Sequence, residues 1–459
     1  MSRNHHDTDR AARRAAPLLT ACMTAALLTG CVTGLAGREG EPLEPRVTAG
    51  TRAAPVVQAV YPIAATAPPV PLGPSAEEQR AMAMLAEAVS DMHTEMWGQC
   101  AAFWGEENAL LPTRKEWVFY EDGWLSRGVS DFEHGEFLAQ VLVEPEDEAG
   151  AGEAAGLERL RKVVDRALTD TSTDLPGRDR VLEKAMGMME EQGMPLPPDW
   201  ADAAGPEEPG GRAVLAEILP ADTARSLSPE TVTRTAVVGE DGRERTMLSY
   251  RIPFTEGAYA KLAARYAEAV FRESGEFGIP PSLILAVIET ESAFNPRARS
   301  HIPAFGLMQL VPTSGGLDAH RFVNGESAPM LNPETLYDVD TNVKLGTAYL
   351  KLLDTRYLKD VEHPESRLYS AIAAYNTGAG NVARAFNGTT NIGRAAPLIN
   401  QLPPEEVFDH LSERLPFEET RRYLVKVTEA RRRYRDWDRA AEESETVAQA
   451  AVDPDVETR

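Results

Sequence analysis

The chain has 459 residues, with 47 Lys plus Arg against 71 Asp plus Glu, and its formal net charge is −24. A hydrophobic content of 43% and a charged content of 26% are ordinary for globular proteins, which excludes a wholly disordered chain. The acidic balance argues against nucleic acid as a partner, because nucleic-acid-binding domains carry a basic face. Three cysteines are too few for a disulfide framework.

Residues 1–31 have the pattern of an export signal. A basic flank precedes an apolar run over 15–28, which is too short to span a bilayer, since spanning takes about 20 apolar residues. The run ends in Leu-Thr-Gly-Cys and resembles the bacterial lipoprotein box, in which cleavage precedes the cysteine, here Cys31, and its thiol is acylated. An ordinary secretory peptide with an incidental cysteine is the alternative. The pair Arg13-Arg14 leaves twin-arginine export open beside the general route.

Residues 32–75 are rich in proline and are predicted to form an extended linker. A capping box at 75–78 then opens an α+β region over 76–252, which we interpret as an accessory domain. Its predicted strands are Trp117–Tyr120, Trp124–Phe132, Phe137–Val143, Thr233–Val238 and Arg245–Ile252, with helices near 154–169 and 178–192 and a loop over 194–211.

From residue 253 the pattern becomes helical. Residues 253–437 are predicted to form a mainly α-helical domain, and the acidic stretch 438–459 is predicted to be disordered. The fold class is therefore α+β, with a smaller α+β domain before a helical one. The clearest predicted helices are Lys261–Phe277, Pro281–Ser292, Val339–Tyr357, Arg367–Tyr375 and Glu418–Trp437.

The predicted helix Pro281–Ser292 carries a carboxyl group at its inner end. Glu291 shares a helical face with Ile284 and Val287, so it is predicted to point inward. Burial disfavours the charged form of a carboxyl group, and an acid that keeps its proton near neutral pH is what cleavage of a glycosidic bond needs. Glu289 is the rival, on a face expected to be wetter.

Several motifs follow this helix in a fixed order. They are Glu-Ser-Ala-Phe-Asn-Pro at 291–296, a serine at 300, Gly-Leu-Met-Gln at 306–309, Ala-Tyr-Asn at 374–376 and Arg-Arg-Tyr-Leu at 421–424. Together they closely resemble the signature of the lytic transglycosylases over roughly 255–436. The order of a lipoprotein signal, an α+β domain and the catalytic domain resembles a membrane-bound branch of that family.

The resemblance implies a lysozyme-like catalytic domain of the goose type and an activity on the glycan strands of peptidoglycan. The MurNAc-(β1,4)-GlcNAc bond would be cleaved without water, leaving a 1,6-anhydro-MurNAc end. Glu291 would act first as the acid and then as the base. A second carboxylate would not be needed, because the N-acetyl group of the substrate can stabilise the intermediate.

The other motif residues receive roles by position in the same resemblance. Gly306 would let the backbone approach the sugar, and Met308 and Tyr375 would form apolar walls. Tyr375 or Tyr423 would also hydrogen-bond near Glu291. Hydroxyl and amide groups would be offered to the glycan by Ser300, Gln309 and Asn376. For Ser300 and Asn376, simple turn chemistry is an equal alternative. Phe294 and Leu307 are expected in the core, and Phe305 in either the core or the groove.

The expected location is the outer membrane, facing the periplasm, through the lipid on Cys31. No metal, organic cofactor or nucleic acid is implied, and protein partners are not indicated. Two rival functions stay open: a hydrolytic muramidase of the same fold, in which water attacks, and a non-catalytic peptidoglycan-binding lipoprotein.

Overall fold

The computed structural model describes residues 74–144, 152–169, 180–194, 213–300 and 303–452. The predicted signal with Cys31, almost all of the proline-rich linker, most of the predicted loop 194–211 and the last seven residues lie outside the described residues. Within them, two compact units are found. One consists of residues 353–429, and the other of the remaining described residues.

One antiparallel sheet of five strands has the order β1-β2-β3-β5-β4. Its strands are β1 (Glu116–Glu121), β2 (Ser126–Asp131), β3 (Glu136–Val143), β4 (Thr233–Val238) and β5 (Glu244–Pro253). Each strand predicted from alternation and turn residues is present. The sheet together with the helices confirms the α+β fold class.

Four helices accompany the sheet: α1 (Ala76–Trp104), α2 (Gly152–Thr169), α3 (Arg180–Glu191) and α4 (Val214–Ile218). Helix α1 begins with the predicted capping box, in which Ser75 and Glu78 bond each other's backbone N–H. Helix α2 packs on β2 and β3, and the end of α1 packs on the sheet. Trp104 is fully buried there, and its indole N–H donates to the carbonyl of Trp124 at 2.6 Å.

The same unit continues with helices that follow the sheet in sequence. They are α5 (Ala258–Arg265), α6 (Ala267–Phe277), α7 (Pro281–Ser292), α8 (Gly315–Asn324) and α9 (Val339–Leu352). A single helix was predicted over 261–277, but the structure has two helices there, separated at Tyr266. Its buried ring stacks on Phe294 with ring centroids 6.4 Å apart, and this packing overrides the continuous helical pattern.

The unit 353–429 begins with a π-helical turn, Leu353–Tyr357, where an α-helix was predicted to continue. Its α-helices are α10 (Pro364–Thr377), α11 (Ala379–Asn387), α12 (Ile392–Ile399) and α13 (Pro404–Arg414), followed by α14 (Glu418–Arg433), which ends beyond residue 429. Helices α11 to α13 are short. Gly378 and Gly388 flank α11, Pro397 lies inside α12, and Pro403 precedes α13, so glycine and proline weaken their periodic signal.

The last described helix is α15 (Arg435–Val452). It includes most of the stretch 438–459 that was predicted to be disordered, and the prediction is therefore wrong for residues 438–452. Its first turn is anchored. Trp437 stacks on Phe271, and the Asp438 carboxylate accepts hydrogen bonds from the N–H and hydroxyl of Ser282 at 2.8 and 2.7 Å. Tertiary contacts therefore stabilise the first turn of the helix, and the high helix propensity of the Ala and Glu residues that follow favours its continuation.

The compact units do not divide at the boundary predicted near residue 253. Contacts tie the sheet region to the helices that follow it. The Tyr259 hydroxyl donates to the carbonyl of Phe132, and Arg321 of α8 pairs with Glu78 of α1 at 2.7 Å. The separation into an accessory and a catalytic domain stays a prediction.

Candidate active site

Helix α7 is the apolar helix that carries both candidate carboxylates. Pro281 occupies its first turn, where a missing N–H costs nothing. Ile284, Leu285, Ala286, Val287 and Ile288 are all fully buried, so the helix is apolar on every side. The predicted contrast holds for the two carboxylates, since the side chain of Glu289 is 24% exposed and that of Glu291 is 6% exposed. It does not hold for the aliphatic residues, which are buried on both faces.

Glu291 lies in the last turn of α7 with 5% of its surface exposed, which confirms the predicted burial. Its Oε2 lies 3.5 Å from Nη1 of Arg114. Arg114 is 177 positions away in the chain and belongs to the segment that leads into β1. The sequence offered no signal for this contact, because an arginine before a strand is ordinarily a solvated residue.

Glu289 makes a different set of contacts. Its Oε2 accepts a hydrogen bond from the Tyr434 hydroxyl at 2.6 Å, and its Oε1 pairs with Arg433. Burial, followed by the charge of Glu289, raises the pKa of Tyr434 well above its ordinary value. Glu289 is thus part of a bonded cluster that holds residues 433 and 434 against α7 within the same compact unit.

The chain leaves α7 through two residues with left-handed backbone, Ala293 at φ 50° and Phe294 at φ 67°. Such conformations are costly for residues other than glycine and are concentrated at functional sites. Phe294 is fully buried between Tyr266 and Tyr434, as predicted for a core residue. This sharp turn redirects the chain immediately after Glu291.

The segment after the turn also meets the approach to β1. The Asn295 side-chain N–H donates to the carbonyl of Arg114 at 3.3 Å, and the Arg297 guanidinium lies 4.2 Å from the ring centre of Trp117. Together with the Glu291 contact, these interactions hold residues 114–117 against residues 291–297. Asn295 stands in the recognised motif, but its contact with a distant backbone could not be read from it.

The predicted motif 306–309 forms a tight turn organised by Asn342 of α9. Asn342 Oδ1 accepts from the Met308 N–H at 2.8 Å, and its Nδ2 donates to the carbonyls of Phe305 and Leu336 at 2.9 and 2.7 Å. Asn342 is 1% exposed. It is missing from the predicted site, although an amide that shares a helix face with Val339 and Leu345 is a detectable signal.

Gly306 is required by contacts within the chain itself. Its φ is 74°, and a Cβ atom there would collide with the Leu336 carbonyl and with the Asn342 amide. The Leu336 carbonyl and the Asn342 side chain are enough to require glycine here, and the predicted approach of a sugar stays a prediction.

Met308 and Gln309, the other two predicted site residues of this turn, are both buried. Met308 is fully buried against Gly346, so it cannot form an exposed apolar wall. Gln309 is 8% exposed, and its Nε2 donates to the carbonyls of Ala298 and Gly306, each at 3.0 Å. Its amide N–H groups therefore brace the turn. Its buried Oε1 has no hydrogen-bond partner among the described residues.

Burial decides two further assignments of the sequence, and the role of Ser300 stays a prediction. Leu307 and Phe305 are 1% exposed, which confirms the first as core and decides the second in favour of core. Ser300 is half-buried, and its backbone N–H donates to the carbonyl of Ala304. Residues 301 and 302 lie outside the described residues.

Tyr375, Asn376 and Tyr423 belong to the unit 353–429 and are described within it. Tyr375 and Asn376 lie at the end of α10, both half-buried, and Tyr423 lies on α14 with 5% exposure. The Thr420 hydroxyl donates to Asn376 Oδ1 at 2.7 Å, which links the two helices. This bond occupies the Asn376 carbonyl oxygen, so part of the residue's role is structural.

Neither a cluster of metal ligands nor a membrane-spanning helix is found among the described residues. No group of three His, Cys, Asp or Glu side chains is arranged to hold a metal ion in these ranges. Among the helices described, none combines the length and apolar character that crossing a membrane requires.

Comparisons with known proteins define the class. The family model described as the transglycosylase SLT domain matches residues 268–396. That match includes Glu291, the 306–309 turn and the end of α10. A solved structure, the 70 kDa soluble lytic transglycosylase of Escherichia coli, is 26% identical over 39% of this chain and 26% of its own, with a TM-score of 0.28, too low for the two folds to be compared.

The similarity to curated proteins extends much further along the chain. Membrane-bound lytic murein transglycosylase C of Salmonella typhimurium is 32% identical over 334 residues, which cover 72% of this chain and 85% of the relative. The protein of the same name from Cronobacter sakazakii is 33% identical over 333 residues, with the same coverage. The chain therefore belongs to the lytic murein transglycosylase family, and it is an enzyme of that kind.

Proposed function

We propose that this enzyme cleaves the MurNAc-(β1,4)-GlcNAc bond of peptidoglycan without water, and that Glu291 serves as both acid and base. Glu291 would donate its proton to the glycosidic oxygen as the bond to C1 breaks. The resulting carboxylate would then take the proton of the MurNAc 6-hydroxyl as that oxygen attacks C1. The product would be a 1,6-anhydro-MurNAc end, and Glu291 would regain its proton.

The observation that carries this proposal is the position of Glu291. It is a carboxyl group with 5% exposure at the end of an apolar helix, inside the stretch that matches the transglycosylase domain. Low hydration favours a carboxyl group that keeps its proton until a reacting oxygen needs it. Glu289, the rival on the same helix, is engaged by Tyr434 and Arg433.

One carboxylate is enough in this scheme because the substrate supplies the second function. The positive charge that develops at C1 would be stabilised by the carbonyl oxygen of the MurNAc N-acetyl group, as in substrate-assisted glycosidases. Ser300 and Asn376 are proposed to contact the glycan, as are Tyr375 and Tyr423. Gly306, Met308 and Gln309 are proposed to shape the turn behind it, given their burial.

Mass spectrometry of the fragments released from purified sacculi tests this reaction. We expect muropeptides that end in anhydro-MurNAc, one water molecule lighter than the reducing ends that a muramidase would leave. Fragments with reducing ends alone would establish the hydrolytic alternative. An absence of soluble fragments, with the protein bound to sacculi, would establish the non-catalytic one.

We also propose that the enzyme is anchored to the outer membrane by a lipid on Cys31 and faces the periplasm. The lipoprotein-like run at 28–31 supports this, as do the curated relatives that are named membrane-bound. Residues 32–75 would then act as a tether, stiffened by proline, that lets the folded units reach the glycan.

Replacing Cys31 by Ala is expected to move the protein from the membrane fraction to the soluble fraction. An acyl chain contributes about 0.8 kcal/mol for each buried CH₂ group, so losing all acylation removes the anchor. Fractionation of cells followed by immunoblotting measures the distribution. Cys22→Ala, within the same predicted signal, is the matched control and should stay with the membrane. Unchanged membrane association of Cys31→Ala would contradict the anchor.

A further inference from the structure

The approach to β1 places a cation beside the proposed acid. Arg114 Nη1 lies 3.5 Å from Oε2 of Glu291, and the Arg114 side chain is 38% exposed while that of Glu291 is 6% exposed. Thr113, the preceding residue, bonds the backbone N–H of Lys115 and Glu116 through its hydroxyl. The backbone that carries Arg114 is thereby held on one side.

The other side of that backbone is held by the motif that follows Glu291. The Asn295 side chain donates to the Arg114 carbonyl at 3.3 Å, and Arg297 lies over the ring of Trp117. The Arg114 guanidinium is therefore presented to Glu291 by a segment fixed at both ends. An incidental ion pair on the surface would not require that the backbone of the arginine be held in this way.

From this geometry we propose that Arg114 is a positioning residue of the transglycosylase reaction: it orients the Glu291 carboxyl group and stabilises the carboxylate formed when the proton leaves. This inference rests on the proposed role of Glu291. The benefit falls on the transition state of the first step, in which negative charge develops on Glu291 as its proton moves to the glycosidic oxygen. Arg114 forms no bond with the substrate in this scheme.

Other charged groups packed around α7 in this unit have partners of their own. On α7 itself, Glu289 bonds Tyr434 and Arg433. Asp438 of α15 bonds Ser282. The remaining charged groups form ion pairs with one another, and these pairs are Arg272 with Glu273 and Asp340, Lys344 with Glu276, and Lys115 with Glu133. These groups are engaged elsewhere, whereas the Arg114 guanidinium faces Glu291 directly.

The test is the pH dependence of kcat and KM for release of anhydromuropeptides, with Arg114→Gln compared with wild type. A nearby cation favours the ionised carboxylate, so its removal lets Glu291 hold its proton to higher pH. The alkaline limb of the kcat profile is expected to move upward by about one pH unit, since solvent screens a partly exposed pair. The plateau value of kcat should fall, because the carboxylate that forms in the transition state loses its neighbouring cation, whereas KM should change little.

Two further variants complete the experiment. Arg114→Lys keeps the charge and should keep most of the wild-type profile, whereas Arg251→Gln removes an exposed arginine that pairs with Glu136 and should change nothing. An unmoved alkaline limb in a folded Arg114→Gln, or a change confined to KM, would overturn the inference. A wild-type enzyme that yields no anhydro ends would instead contradict the proposed function. This outcome is distinct from a failure of the Arg114 proposal, in which wild type yields anhydro ends but Arg114→Gln leaves the kcat profile unchanged.

Discussion

Replacing Glu291 by Gln is expected to lower the rate of glycan cleavage by at least about 10²- to 10⁴-fold, because the amide can neither donate nor accept the transferred proton. Gln has nearly the same size and hydrogen-bonds to Arg114 as an acceptor, so the fold and the binding of sacculi should be retained. The measurements are the release of soluble muropeptides, followed by chromatography, and co-sedimentation with sacculi.

Glu289→Gln is the matched control on the same helix. Its amide oxygen still accepts the Tyr434 hydroxyl, so stability should fall by no more than about 1–2 kcal/mol through the weakened contact with Arg433. Cleavage should stay near the wild-type rate. If the two variants exchanged these outcomes, Glu289 would be the acid and the assignment of Glu291 would be wrong.

Replacing Gly306 by Ala is expected to lower the free energy of unfolding substantially. The new Cβ would collide with the Leu336 carbonyl and would lie 2.8 Å from Cγ of Asn342, at a backbone φ of 74°. The left-handed backbone costs about 1–2 kcal/mol for a residue with a side chain, and the overlap adds about 1–3 kcal/mol. Denaturant unfolding measures the sum.

Gly257→Ala separates the two causes. Gly257 has a φ of 73°, and a Cβ there would meet no atom within 4 Å, so only the backbone cost remains. We expect a loss of about 1 kcal/mol for this control and cleavage at the wild-type rate. Should both variants lose the same stability, the collision with Asn342 and Leu336 would have no energetic weight.

Movement of the turn has a consequence for catalysis as well. Gln309 braces the Ala298 and Gly306 carbonyls, and Asn342 holds the Met308 N–H. Gly306→Ala pushes on Asn342 directly, so both sets of bonds are strained together. The same variant should therefore lose cleavage activity even at temperatures where it stays folded.

The local sequence predicted those parts of the fold that depend on neighbouring residues. Helix α7 begins and ends as predicted because Pro281 favours a first turn and an apolar run follows it. The strand Thr233–Val238 has its predicted bounds because a turn-forming Glu-Asp-Gly follows it. The order of motifs from Glu291 to Tyr423 likewise led to the family that the relatives establish.

The sequence did less well where packing competes with local preference. It predicted one helix across Tyr266, whose ring is drawn into the core beside Phe294. It predicted disorder after residue 437, where Asp438 instead bonds the start of α7. It also predicted that Met308 forms an apolar wall for the substrate, although its side chain is fully buried in the turn.

By itself, then, the sequence determined the family, through the order of its motifs. It also determined the buried acid and most helices and strands, because these depend on residues that are close in the chain. Only the tertiary structure decided that Arg114 reaches Glu291 and that Asn342 organises the 306–309 turn. It also decided that the sheet region and the helices through α9 form one compact unit. These features depend on contacts between residues far apart in the chain, and no periodicity or motif records which distant side chains will meet.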